Sequence, residues 1–176
     1  KARHGVVVTL GNHDFAAGAD AVTAALRQLT PFTVLRNARV DVERDGGRIA
    51  IVGLDDLGRA WARGVLEHPA LPSLARDVPA GIPLVVLTHR PDCFEQAAAR
   101  GATLVLAGHT HGGQIGVPSW FSGRVRNPAE VITSYDRGVF RSGAATLVVS
   151  NGLGFTGQPV RLFTPRQIGC LDLHPA

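Results

Sequence analysis

The sequence has no methionine, a single lysine (Lys1) and only two cysteines, Cys93 and Cys170. Two cysteines make neither a disulfide framework nor a zinc ribbon, and they fix no redox compartment. No apolar run approaches the length of about 18 residues that crosses a bilayer, and no signal peptide pattern is present. Aromatic residues are 6% of the chain, which leaves little for base stacking. No block of basic residues occurs either. The formal charge of +4 comes from scattered arginines, so it reads as a mildly basic solvated surface, and no nucleic-acid partner is expected. With no Met and a strand-like run at its start, the chain is expected to continue upstream. An anchor there would bring a membrane surface into play.

What the sequence does have is apolar bulk. Hydrophobic residues make up 45% of 176 positions and charged residues 18%, which suits one globular domain with a core. Short apolar runs recur at 5–10, 48–54, 82–88, 102–108, 145–151 and 168–173. Runs that are apolar at consecutive positions suit strands covered on both faces. Segment 17–29 has apolar residues at helical spacing, and 91–101 starts with Pro and ends with Gly. Segment 58–67 is a third, weaker helix candidate. Residues 39–54 read as a hairpin turning at Asp45-Gly46-Gly47. The fold class expected is α/β with a mixed sheet. Residues 112–143, rich in Gly, Pro, Ser and Arg, read as a long excursion near the site.

The polar residues fall at the ends of these runs. "VVVTL" ends in Gly11-Asn12-His13-Asp14, "IAIVGL" in Asp55-Asp56, "LVVLT" in His89-Arg90 and "TLVLA" in Gly108-His109-Thr110-His111. Ligand sites in α/β sheets form beyond the carboxyl ends of strands. Four of the seven histidines lie in these loops. His109 and His111 are two apart, which in an extended segment points both rings to one side. Two imidazoles on one side suit one metal or two adjacent ones. Asn12 offers a neutral oxygen ligand, and His13 beside it is a possible proton donor. Asp14 is placed to hold that imidazole's tautomer. Arg90 has the fork that grips phosphate oxygens, with a surface salt bridge as the plainer reading. Trp120, Phe121, Arg124 and Arg126 read either as a rim for a headgroup or as an ordinary surface loop.

"GNHD" (11–14), the His of "LTHRPD" (87–92) and "GHTH" (108–111), in that order, resemble the motifs of calcineurin-like metallophosphoesterases. "AGHTHGGQIGVP" (107–118), "GLDD" (53–56) and "SNGLG" with "PVRLFTPRQI" (150–168) resemble a bacterial phosphodiesterase subgroup that includes UDP-diacylglucosamine pyrophosphatases. The resemblance implies two mixed β-sheets packed as a sandwich and flanked by helices, with residues 1–176 forming the C-terminal portion of a single domain. It implies two divalent metal ions (Mn, Fe or Zn), with Asn12, His89 and His109 on one and His111 on the other. It implies catalysis by His13 with Asp14 behind it, and hydrolysis of a small-molecule phosphate ester or pyrophosphate, such as a lipid-linked nucleotide. A bacterial location in the cytoplasm or at the inner membrane follows from the same resemblance.

The family also has D-x-H and G-D-x-x-D motifs upstream of "GNHD". Only ten residues precede that motif here, and none is acidic. Asp55 and Asp56 come too late to be those motifs. They are expected to touch substrate, to support the site from behind or to sit in a solvated turn. The fragment alone is expected to bind metal weakly and not to turn over. The competing reading is a non-catalytic metal-binding or interaction module.

Overall fold

A computed structural model describes residues 2–44, 46–58, 66–119 and 124–174. Its centre is a six-stranded mixed sheet. The strands are β3 (Ala38–Arg44), β4 (Gly47–Gly53), β5 (Leu84–Leu87), β6 (Ala102–Ala107), β9 (Gly138–Ser142) and β10 (Ala145–Val149). Their order is β3-β4-β5-β6-β10-β9. The inner four run parallel, and β3 and β9 close the two edges antiparallel. Two short pairs stand apart: parallel β1 (Val7–Val8) with β2 (Thr33–Val34), and antiparallel β7 (Val117–Pro118) with β8 (Val125–Arg126).

Burial explains which runs became strands. Leu84, Val85 and Val86 of β5 are all buried, as an apolar run covered on both faces requires. β10 differs: its burial alternates along Ala145–Val149, so one face is less covered. Val52, Val86, Val105, Leu147 and Val149 form the core with Leu54, Leu71 and Phe94. Each such side chain contributes roughly 1.5–3 kcal/mol of transfer free energy. Phe94, Tyr135 and Phe140 continue the core as edge-to-face rings with centroids 5.5 and 5.1 Å apart. Glu95 accepts from the Tyr135 and Ser142 hydroxyls at 2.6 Å each, tying the long excursion to the sheet.

Helix α1 (Asn12–Leu29) starts five residues before the apolar periodicity does and kinks at Gly18, whose φ is +105°. Helix α2 (Leu71–Arg76) was not foreseen; Pro at its start and buried Leu71 and Ala75 define it. Helix α3 (Phe94–Ala99) follows a 3₁₀ turn at Pro91–Cys93, as the Pro-to-Gly signal predicts. Most of the weak candidate at 58–67 lies outside the described residues. Run 168–173 is not a strand: it has no ladder partner among the described residues, and an isolated apolar run does not hold a strand by itself. Ile168, Leu171 and Leu173 are exposed there. The excursion at 112–143 is more ordered than its composition suggests, since it supplies β7, β8, a 3₁₀ turn at Pro128–Val131 and the edge strand β9.

The β1–β2 pair lies against the sheet at Gly53. A Cβ there would come within 2.4 Å of the Leu35 side chain and 2.8 Å of Thr9, so only glycine admits this close approach. It brings the end of β1 beside the ends of β4, β5 and β6. No described helix is long and apolar enough to cross a membrane.

Candidate metal centre

Each histidine loop leaves the carboxyl end of a strand. Gly11 follows β1 and caps α1, placing Asn12 and His13 in the first turn. Asp14, in that same turn, accepts the Gly11 backbone N–H at 2.8 Å. One oxygen of Asp14 thus closes the helix start. A Cβ on Gly11 would meet His89 Cε1 at 2.7 Å, so glycine lets the β1 end approach the loop after β5.

Three side chains converge there. His89 Nε2 lies 2.8 Å from Asn12 Oδ1 and 3.0 Å from His109 Nδ1. A neutral Nε2 either donates one proton or accepts one, so one imidazole position serves two polar neighbours here. Imidazole nitrogens and an amide oxygen are also the atom types that ligate divalent transition metals. The residues present therefore fit a divalent ion held by two imidazole nitrogens and an amide oxygen.

The electrostatics agree. Burial pushes the pKa of His89 down, and burial first, then Arg90 and His89, pushes His109 down to about 4. Both rings are neutral at pH 7, the form that ligates. Burial also lowers His111, with Arg161 and His13 acting in the same direction. His13 itself is exposed at the mouth of the site.

His111 joins the site differently. The segment is not extended, contrary to the spacing argument. His109 and His111 have φ of +69° and +52°, Gln114 has +56°, and 111–113 is a 3₁₀ turn. Left-handed backbone costs a non-glycine residue roughly 1–3 kcal/mol, so the surroundings must hold it. The loop nevertheless brings His109 and His111 to one cavity. No group of three or more His, Cys, Asp or Glu side chains suited to a metal occurs among the described residues, so His111 is not part of a three-histidine cluster with His89 and His109.

Asp55 and Asp56 are buried and engaged. Arg36 Nε donates to both oxygens of Asp55 at 2.8 Å, and Asp56 accepts Arg90 Nε at 2.7 Å with its side chain wholly buried. Their oxygens hold arginines inside the fold, which corrects the solvated-turn expectation. Arg90 in turn lies with Nη1 2.7 Å from His109 Nε2. Trp120 and Phe121 lie outside the described residues. Arg126 is exposed and pairs with Glu130 at 2.5 Å.

Sequence reasoning missed three residues. Arg161 donates to the carbonyls of His111 (3.1 Å), Asn151 (2.7 Å) and Gly154 (2.8 Å), bracing the histidine loop from fifty residues downstream. Buried Gln114 donates to Thr156 and Gln158 carbonyls and accepts the Thr156 N–H at 2.7 Å. His68 is buried under Asp55, with Nε2 3.0 Å from its carbonyl. The "GGQ" after "GHTH" gave a signal for Gln114 and "PVRLFTPRQI" one for Arg161; neither told what the side chain holds.

Two imidazoles and an amide meet at the carboxyl ends of strands in an α/β chain, side-chain types that can ligate a metal. Comparison with known proteins narrows this. The chain is 34% identical over 171 residues to the uncharacterized metallophosphoesterase Cj0846 of Campylobacter jejuni, covering 97% of this chain and 42% of that protein. It is 32% identical over 170 residues to the uncharacterized metallophosphoesterase YkuE of Bacillus subtilis, covering 96% of this chain and 56% of that one. Over 110 residues, 61% of this chain and 37% of the relative, it is 33% identical to the phosphodiesterase YaeI of Escherichia coli. No family model and no solved structure matches. The chain belongs to the calcineurin-like metallophosphoesterase family. It spans about half the length of the curated relatives it matches.

Proposed function

We propose that this chain carries one side of a dinuclear phosphodiesterase centre, as the C-terminal portion of a single sandwich domain in which the β1–β2 pair belongs to the second sheet. The observation that supports it most is the meeting of Asn12 Oδ1, His89 Nε2 and His109 Nδ1. These three residues would hold one ion and His111 the other. Mixed nitrogen and oxygen ligands favour Mn, Fe or Zn over Mg or Ca. When bound, such ions supply positive charge to the phosphate oxygens and acidify a water molecule.

The protein's own groups do the rest. His13, exposed beside Asn12 and electrostatically coupled to His111, donates its ring proton to the leaving oxygen. Asp56 fixes the guanidinium of Arg90 at the edge of the site. A neutral His109 that gives its Nδ1 lone pair to a cation carries its proton on Nε2. Arg90 Nη1 then faces a donor and turns to a phosphate oxygen instead. The name of the E. coli relative favours a phosphodiester, and a lipid-linked nucleotide is one such class.

The test uses the full-length protein with added Mn and bis-p-nitrophenyl phosphate. His109→Ala is expected to lose a bound metal and at least about a hundredfold in kcat/KM, the scale on which metal-site ligands act. Full activity and unchanged metal content in that variant would refute the assignment.

A further inference from the structure

A cavity of about 350 Å³ opens beside the histidine pair. That size falls within the range of small-molecule sites, roughly 300–1,000 Å³. His109 and His111 stand at one side of it. The far wall is taken as its apolar lining, Pro91, Ile115, Pro128, Ala129 and Ile132. It comes from the 3₁₀ turns 91–93 and 128–131 and from Ile115, just past the histidine turn. None of the metal chemistry proposed above uses this wall.

Arg90, held by Asp56, and Asp92 also line the cavity, and three of its other polar side chains are committed to the fold. Thr110 Oγ1 donates to the Asp136 carbonyl at 2.5 Å. The Gln114 amide is saturated by the backbone of 156–158. Thr133 Oγ1 accepts the Tyr135 N–H at 3.1 Å. What the far wall offers a ligand is therefore apolar contact. The wall is also fixed in place. Asn127 caps the 128–131 turn and bonds Asp136, and the turn is docked against the His111–Gly113 turn at Gly113.

We propose that this cavity receives an apolar substituent, aryl or short alkyl, on the phosphodiester whose phosphorus sits at the histidines. The proposal rests on the phosphodiesterase reading and adds a substrate class to it. A simple nucleotide or sugar in that position would meet carbon where it needs hydrogen-bond partners. Burying an apolar arm against Ile132 and Ile115 instead favours binding in proportion to the area covered.

The experiment measures kcat/KM of the full-length Mn-loaded protein on p-nitrophenyl phosphodiesters whose second substituent is methyl, hexyl or phenyl. Hexyl or phenyl is expected to exceed methyl by about tenfold or more, the scale of added methylene groups in an apolar pocket, and mainly through KM. Ile132 is 62% exposed, so Ile132→Asp leaves the core untouched. It is expected to bring the hexyl and phenyl esters down toward methyl, while Ile132→Leu keeps the preference. Val131, 90% exposed and outside the cavity wall, is the control: Val131→Asp leaves the profile as it was. Equal kcat/KM across the three esters, or a preference that survives Ile132→Asp, overturns the pocket while leaving the phosphodiesterase reading standing. Hydrolysis of none of them removes that reading, and the pocket falls with it.

Discussion

Asn12, His89 and His111 reach the site by two constructions. Asn12 and His89 sit four and two residues past a strand end, and the ends of β1 and β5 set their positions. His111 sits in a left-handed turn that Arg161 and Asn127 brace from outside and Gln114 ties to 156–158. The first kind of position is inherited from the fold. The second is imposed on a reluctant backbone by distant residues. His109 joins the two, with its ring in the cluster and its backbone in the strained turn.

The largest effect is expected where the imposed half has no slack. Gly113 has φ of +75°, and a Cβ there would lie 2.0 Å from Asn127 Oδ1. Asn127 cannot yield, because its amide is tied to Ala129, Glu130 and Asp136. Gly113→Ala is expected to cost about 3 kcal/mol, from overpacking and left-handed strain together. Thermal unfolding checks it. A loss below about 1 kcal/mol would mean that the two halves are equally compliant.

Acid sharpens the contrast from the other side. The unfolded chain protonates its histidines near pH 6.5. In the folded protein burial lowers His68, His89 and His111, and takes His109 to about 4. Between those values the unfolded chain binds more protons, so stability is full above pH 6.5 and is lost as pH falls. The metal-stripped protein is expected to melt at lower temperature at pH 5 than at pH 7. A melting temperature that holds or rises on acidification contradicts the buried, neutral cluster.

The smallest effect probes the brace. Arg161→Lys keeps the charge but loses the fork that spans three carbonyls. We expect about a tenfold fall in metal affinity with little change in melting temperature. If His111 is as self-supporting as His89, affinity will not move.

The same division governs what could be read from the chain. The strand runs, the hairpin 39–54 and the polar loop residues were legible because each is a local signal: β-branched runs, a Gly-Gly turn, a polar group after an apolar stretch. The α/β class followed from their alternation. Residues 168–173 misled because apolar content alone does not supply a partner strand. Asp55 and Asp56 were legible only as an acidic pair at a strand end, which gives no sign that Arg36 and Arg90 will fill it. Arg161 lay inside the quoted "PVRLFTPRQI" stretch, but its role was not legible, because only folding brings the three carbonyls to it.

The brace also orders events in time. A ribosome releases His89, His109 and His111 well before Arg161 and Thr164, which fasten the carbonyls of His111 and Gly112. Until that segment has docked, the left-handed turn lacks the brace that its carbonyls find in the folded protein, and the two ends of the site mature at different moments.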